Sequence, residues 1–195
     1  MKILGIVGSP RVGGNSEALT KIALEEIAKE GIETELIPLA GKKIAPCDHC
    51  RSCKTTGECH HRDDFQEIYQ KMLNSDGFIL ASPVWHGAAS PQTWSLVSRT
   101  IIGYYISGAK PGEDIKPFEN KVGGPIVVGR RAGQNFTLAQ LMFFFLGAGM
   151  VVPGSSYWNV AFGLEKEEAL KDEEGVKTMR NFGRKLAWLA KKVNS

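Results

Sequence analysis

Cys47, Cys50, Cys53 and Cys59 are the only cysteines in the chain, and their C-x2-C-x2-C-x5-C spacing gathers four soft ligands within thirteen residues. Thiolates two residues apart can converge on a small inorganic core from one tight turn, and a fourth, six positions on, can close the coordination sphere. The nearest template is C-x2-C-x2-C-x3-C, whose last cysteine often serves a different cluster. An iron-sulfur cluster is the leading reading. Structural zinc, disulfides and a redox-active thiol pair stay open beside it. Zinc sites usually assemble from two C-x2-C knuckles about a dozen or more residues apart, a gap this block lacks, although His49, His60 and His61 would suit zinc. Disulfides need an oxidising compartment. Met1 to Gly8 reads as a strand rather than a signal peptide, so a reducing cytoplasm is expected.

A second chemical segment is Gly8-Ser9-Pro10-Arg11-Val12-Gly13-Gly14-Asn15-Ser16, which places small residues, two hydroxyls, an amide and a guanidinium directly before a helical pattern. Backbone amides and the positive dipole end at a helix start favour an anion. The loop has neither the GK[ST] ending of a nucleoside triphosphatase nor the G-x-G-x-x-G spacing of a dinucleotide fold, which favours a monophosphate. The competing reading is an ordinary turn with Ser16 as an N-cap.

These segments need a scaffold. Lys2 to Val7, Glu33 to Leu39, Gly77 to Ala81 and Val122 to Val128 read as strands, and Met150 to Val152 as a fifth strand or its approach. Between them lie helical patterns over Ser16 to Lys29, from a cap at Asp63 or Asp64 to about Leu73, from Pro91 toward Ile106, and over Gln134 to Leu146. Gly108 to Phe118 makes a surface connection, and Lys166 to Val193 is a long amphipathic helical region with a break near Gly175. Alternating strands and helices with continuous apolar strands imply a doubly wound, five-stranded parallel sheet covered on both faces. Ligands of such sheets bind outside the carboxyl ends of the strands. Topology therefore gathers Ser9 to Ser16, Ser82 to Ser90 and Gly129 to Gln134 around one crevice, and the cysteine block elaborates the loop after strand 2.

With 195 residues and 43% hydrophobic content, the chain fits a single domain, 1–195. The 24 basic and 21 acidic residues are interspersed and leave a net charge of +3, which argues against nucleic acid or an anionic membrane as partner. The longest apolar run, Leu141 to Val152, has twelve residues and two glycines, short of the roughly 20 that a spanning helix needs.

GSPRxxGNS after the first strand and SPVWHG after the third resemble the motifs of the flavodoxin-like NADPH-dependent FMN reductase superfamily. With the compact cysteine block between them, the chain is similar to the iron-sulfur flavoproteins of anaerobic archaea and bacteria, over about Met1 to Asn135. That resemblance implies a flavodoxin-like fold and FMN, with Ser9, Arg11, Asn15 and Ser16 around the phosphate and Pro83, Val84, Trp85, His86 and Gly87 along the ribityl chain and isoalloxazine ring. Relatives commonly have Tyr where Trp85 stands, and they often carry Lys and Asp before the arginine that matches Arg99, where this chain reads Thr93-Trp94-Ser95-Leu96-Val97-Ser98. Gly129-Arg130-Arg131-Ala132-Gly133-Gln134 resembles a third flavin-contacting loop, with Gly133 its strongest candidate. Two arginines there suit a reduced anionic flavin, an acidic partner or plain solvation equally.

The function expected from residues and resemblance together is an oxidoreductase in which a [4Fe-4S] cluster takes single electrons and FMN one or two, with no side-chain nucleophile or acid-base pair. The resemblance implies a ferredoxin-like donor and a homo-oligomer, dimer or tetramer, in which the cluster of one subunit lies near the FMN of another. Phe143-Phe144-Phe145 would suit an interface or a core helix equally. Two other functions remain: an NAD(P)H-dependent FMN or quinone reductase whose cysteines bind zinc, and a redox-sensing binding module.

Overall fold

The computed structural model describes residues 1–100 and 117–194. Strand β1 (Lys2–Val7) shows how the sheet takes two covers, since Ile3 and Val7 pack to one side and Leu4 and Ile6 to the other. Successive side chains of a strand point to opposite faces, so an unbroken apolar strand must be buried twice. Helix α1 (Asn15–Lys29) and the C-terminal helix cover the first face. Helices α3 (Phe65–Leu73), α4 (Pro91–Thr100) and α5 (Gln134–Gly147) cover the second through Ile68, Leu96 and Leu141.

The remaining strands are β2 (Glu33–Pro38), β3 (Gly77–Trp85), β4 (Ala88–Ala89), β5 (Val122–Gly129) and β6 (Val160–Phe162). Their order is β2-β1-β3-β5-β6 with every neighbour parallel, and β4 folds back antiparallel on β3. This is the expected flavodoxin-like, doubly wound architecture. The chain steps from β1 out to the edge strand β2 and then crosses to β3, so the connections diverge beside β1 and leave a crevice there.

Three local expectations are refined. Of the two readings of Met150 to Val152, the approach to a strand holds: Val151 makes an isolated parallel bridge to Val122, and the fifth parallel strand itself is β6. The break in the C-terminal region falls at Asp172 rather than Gly175: a 3-10 turn over Glu168–Lys171 precedes α6 (Glu173–Val193). The Asp172 carboxylate accepts from the Gly175 amide at 2.9 Å and the Phe162 amide at 2.9 Å, capping α6 and tying it to β6. Helix α1 begins at Asn15 with Gly14 in the cap position and no side-chain cap, so Ser16 sits inside the first turn. The expected extension of α4 toward Ile106 and most of the Gly108 to Phe118 connection lie outside the described residues.

Phe145 is fully buried in α5 while Phe143 is exposed. No helix among the described residues is long and apolar enough to cross a membrane.

Candidate active site and cysteine loop

At the carboxyl edge of the sheet, the β1–α1 loop, the end of β3 and the residues after β5 and β6 enclose a cleft. Ser9, Arg11, Asn15, Ser16, Pro83, Val84 and Trp85 line it together with Arg130, Gly163 and Leu164. Seven of the ten residues singled out for a flavin therefore share one cavity. His86, Gly87 and Gly133 are not among its lining residues. His86 and Gly87 are the two turn residues between β3 and β4, with φ of 51° and 76°, the pattern of a tight type I′ hairpin. Gly133, at φ 91°, backs this hairpin closely: a Cβ there would lie 2.9 Å from Val84 Cγ1 and 3.1 Å from Gly87 Cα. The three residues shape the wall that Val84 and Trp85 present.

The side chains of the β1–α1 loop are partly engaged within the protein itself. Asn15 engages its amide within the protein, donating to the Glu165 carbonyl at 2.8 Å and accepting from the Ala169 amide at 3.2 Å. Arg11 donates to the Leu164 carbonyl at 2.9 Å. Both side chains therefore fasten the segment after β6 over the loop. Sequence reasoning missed that segment, because its contribution is backbone carbonyls and an amide from about 150 residues away. Ser9 and Ser16 are buried at the base, Ser9 Oγ taking the Arg11 amide at 3.1 Å. Glu17 Oε2 accepts the Gly13 amide at 2.7 Å. Burial pushes the Glu17 carboxyl up, but Lys21, that amide and Lys166 together hold it below its ordinary value. With no side chain capping α1, the amides of its first turn and its dipole are the groups left to meet an anion.

The cysteine block fills the connection between β2 and α3. All four thiols are free, Cys47 and Cys50 exposed, Cys53 and Cys59 half-buried against the core. The turn is tightly wound, with His49 and Arg51 at φ of 58° and 64° and Cys53 opening the single-turn helix α2 (Cys53–Thr56). Left-handed non-glycine residues are uncommon and cluster at functional turns. Burial pushes the Cys53 thiol up, helped by the negative fields of Cys50, Cys47 and Cys59. A bound cation would reverse that penalty.

The ends of the block are clamped. Asp63 accepts from the Ala45 amide at 2.9 Å and the Phe65 amide at 3.1 Å, and so closes the loop and takes the first amide of α3, whose cap position is Asp64. Asp64 accepts from the Lys43 amide at 2.6 Å. From α4, Ser98 Oγ accepts the Cys47 amide at 3.2 Å, and Arg99 donates to Asp63, to the Ala45 and His61 carbonyls and to Cys59 Sγ. Neither Ser98 nor Arg99 was assigned to this loop from sequence. A signal existed for Arg99: it falls three residues after Leu96 and six after Thr93, on the buried face of α4.

A different donor set is also present. Asp48, Cys50 and His60 bring three ligand-type atoms within 4.8 Å of one another, His60 Nε2 lying 2.8 Å from Asp48 Oδ2.

Comparison with known proteins agrees with this arrangement of motifs. The family model for NADPH-dependent FMN reductase matches residues 1–165. An iron-sulfur flavoprotein of Methanocaldococcus jannaschii is 40% identical, covering 99% of each chain. One from Methanosarcina thermophila is 34% identical over 95% of this chain and 93% of its own. Among solved structures, RosB with a bound 8-demethyl-8-formylriboflavin-5'-phosphate intermediate has the same fold, with a TM-score of 0.79 at 17% identity over 100% of this chain and 80% of that one. The chain belongs to the iron-sulfur flavoproteins of the NADPH-dependent FMN reductase family.

Proposed function

We propose that this protein is a cytoplasmic electron-transfer flavoprotein, binding FMN in the cleft and a [4Fe-4S] cluster through Cys47, Cys50, Cys53 and Cys59, and working between a ferredoxin-like donor and an acceptor still to be identified. When bound, the cluster supplies one-electron chemistry and FMN supplies one- or two-electron chemistry. The observation that carries the reading is the combination of a four-thiol loop with a cleft built on an uncapped helix start, at neighbouring strand ends of one sheet.

The residues fit both groups. The first-turn amides of α1, with Ser9 and Ser16, provide donors for a monophosphate, and Pro83, Val84 and Trp85 provide an apolar wall for a ring. Arg11 and Asn15 act at one remove, holding the segment after β6 in place. His86, Gly87 and Gly133 fix the hairpin that carries the wall. Four free thiols at short spacing suit a cluster better than a single zinc ion. The trio of Asp48, Cys50 and His60 would use one cysteine and leave three without a role.

A homo-oligomer with the cluster of one copy near the FMN of another belongs to the same proposal, and exposed Phe143 is available for such an interface. A second reading is direct reduction by NAD(P)H with delivery to a quinone or free flavin. The family model's description and Arg130 at the cleft favour it, since a guanidinium suits a nicotinamide dinucleotide's phosphates.

Anaerobic purification followed by iron, acid-labile sulfide, zinc and flavin analysis tests the assignment. About four irons and four sulfides with one FMN per chain are expected. Zinc without sulfide would remove the cluster. Rapid flavin bleaching by NADPH, with no response to reduced ferredoxin, would replace the proposed donor.

A further inference from the structure

One side chain holds both ends of the cysteine loop. Arg99 is fully buried, and its Nη1 meets the two Asp63 oxygens at 2.7 and 2.6 Å and the Ala45 carbonyl at 3.3 Å, two residues before Cys47. Its Nη2 donates to Cys59 Sγ and to the His61 carbonyl, both at 3.3 Å. The guanidinium carbon sits 4.2 Å from the centre of the Phe65 ring, which fixes the plane of the fork. A lysine ammonium could not reproduce these directions, because the guanidinium is planar and its donors are set in a rigid fork.

Hydrogen bonds to a cysteine ligand stabilise the more negative, reduced state of an iron-sulfur group and raise its potential. A formal positive charge acts in the same direction, but here Asp63 neutralises most of it at contact distance. The Nη2–H···Sγ bond and the Asp63 carboxylate therefore have opposite influences on whatever Cys59 ligates.

We propose that Arg99 is a positioning residue for the iron-sulfur cluster, orienting Cys59 and raising the cluster's reduction potential, with Asp63 as a built-in counterweight that lowers it. The inference rests on reading Cys47, Cys50, Cys53 and Cys59 as cluster ligands. It predicts effects of opposite sign from two residues joined by one ion pair, whereas a purely structural role makes both substitutions loosen the loop alike.

The test compares wild type, Arg99→Met, Arg99→Lys and Asp63→Asn, each purified anaerobically with its native cofactors, by iron and sulfide content and by spectroelectrochemical titration of the cluster. At fixed applied potential, Arg99→Met should lower the reduced-to-oxidised ratio about tenfold, equivalent to about 59 mV for one electron. Asp63→Asn should raise it severalfold, and Arg99→Lys should fall between Arg99→Met and wild type. If Arg99→Met does not fold, the sign of the Asp63→Asn shift decides alone. Unchanged potentials, or a fall in every variant, overturn the proposal while leaving the cluster reading intact. Wild-type protein carrying zinc and no sulfide overturns both.

Discussion

Arg99 meets both carboxylate oxygens of Asp63 across 36 residues of sequence, at 2.7 and 2.6 Å. Since Asp63 also accepts from the amides of Phe65 and Ala45, one ion pair joins α4, the first turn of α3 and the root of the cysteine loop. The loop is exposed at Cys47 and Cys50 yet anchored in the core.

Asp63→Ala leaves that guanidinium buried without its counter-ion, a loss of about 3–5 kcal/mol for broken buried pairs. Asp63→Asn keeps an acceptor and should lose less. Urea unfolding of the cluster-free protein measures both. A loss below about 1 kcal/mol in the alanine variant, the range of exposed pairs, would mean that the pair does not anchor the loop.

Gly133→Ala should weaken FMN binding while leaving the fold intact. The new methyl would meet Val84 Cγ1 at 2.9 Å and Gly87 Cα at 3.1 Å, from a backbone at φ 91°. An L-residue held in the left-handed region is disfavoured by about 1–2 kcal/mol, and relief comes most easily by displacing the β3–β4 hairpin. Quenching of flavin fluorescence on titration should show an affinity drop of about tenfold, the equivalent of 1.4 kcal/mol. Unaltered affinity would mean that the hairpin does not shape the flavin wall.

Legibility in the sequence divides along the range of the interactions. β1, β2, β5 and α1 announce themselves because burial pattern and turn residues act locally. The cysteine spacing and the GSPRxxGNS loop are legible for the same reason. The role of Arg99 was not, because its partners Ala45, Cys59, His61 and Asp63 lie on another element, and only its place on the buried face of α4 hinted at them. The β6 strand was missed because its three residues, Val160–Phe162, are too short to show a period and are fixed by pairing with β5. The resemblance places Asn15 beside a phosphate, and what it leaves out is the tie to Glu165 and Ala169, which is set by how the chain returns after β6.

Gly183→Ala should destabilise the protein although it replaces a helical glycine. In an open helix the change would gain about 1 kcal/mol of propensity. Here the methyl would stand 2.4 Å from the Ala23 carbonyl oxygen on α1, which is backbone and cannot rotate aside. Overpacking costs typically about 1–3 kcal/mol, so the net sign should be a loss. At about 2–4 °C per kcal/mol for a chain of this size, thermal unfolding resolves it. An unchanged or higher melting temperature would show that α1 and α6 can separate freely.

The same helix pair gives a pH dependence. Glu26 on α1 is nearly buried and lies 2.7 Å from Lys29 Nζ, 3.0 Å from an Arg184 nitrogen and 3.4 Å from an Arg180 nitrogen. The hydrogen bond from Lys29 does most to hold its carboxyl below the ordinary value of 4.5, with Arg184 adding to it against the cost of burial. Because the folded state prefers the ionised form, the stabilisation is fully present above that ordinary value, which holds in the unfolded chain, and disappears as pH falls through the lower folded value. The basic partners are half-exposed, so the contribution is that of a screened pair, about 1 kcal/mol, and should shrink in high salt. Glu26→Gln should thus be less stable than wild type by about that amount at pH 7, with the two urea midpoints converging below pH 4. A gap that persists unchanged to pH 3 would mean that Glu26 acts through packing rather than charge.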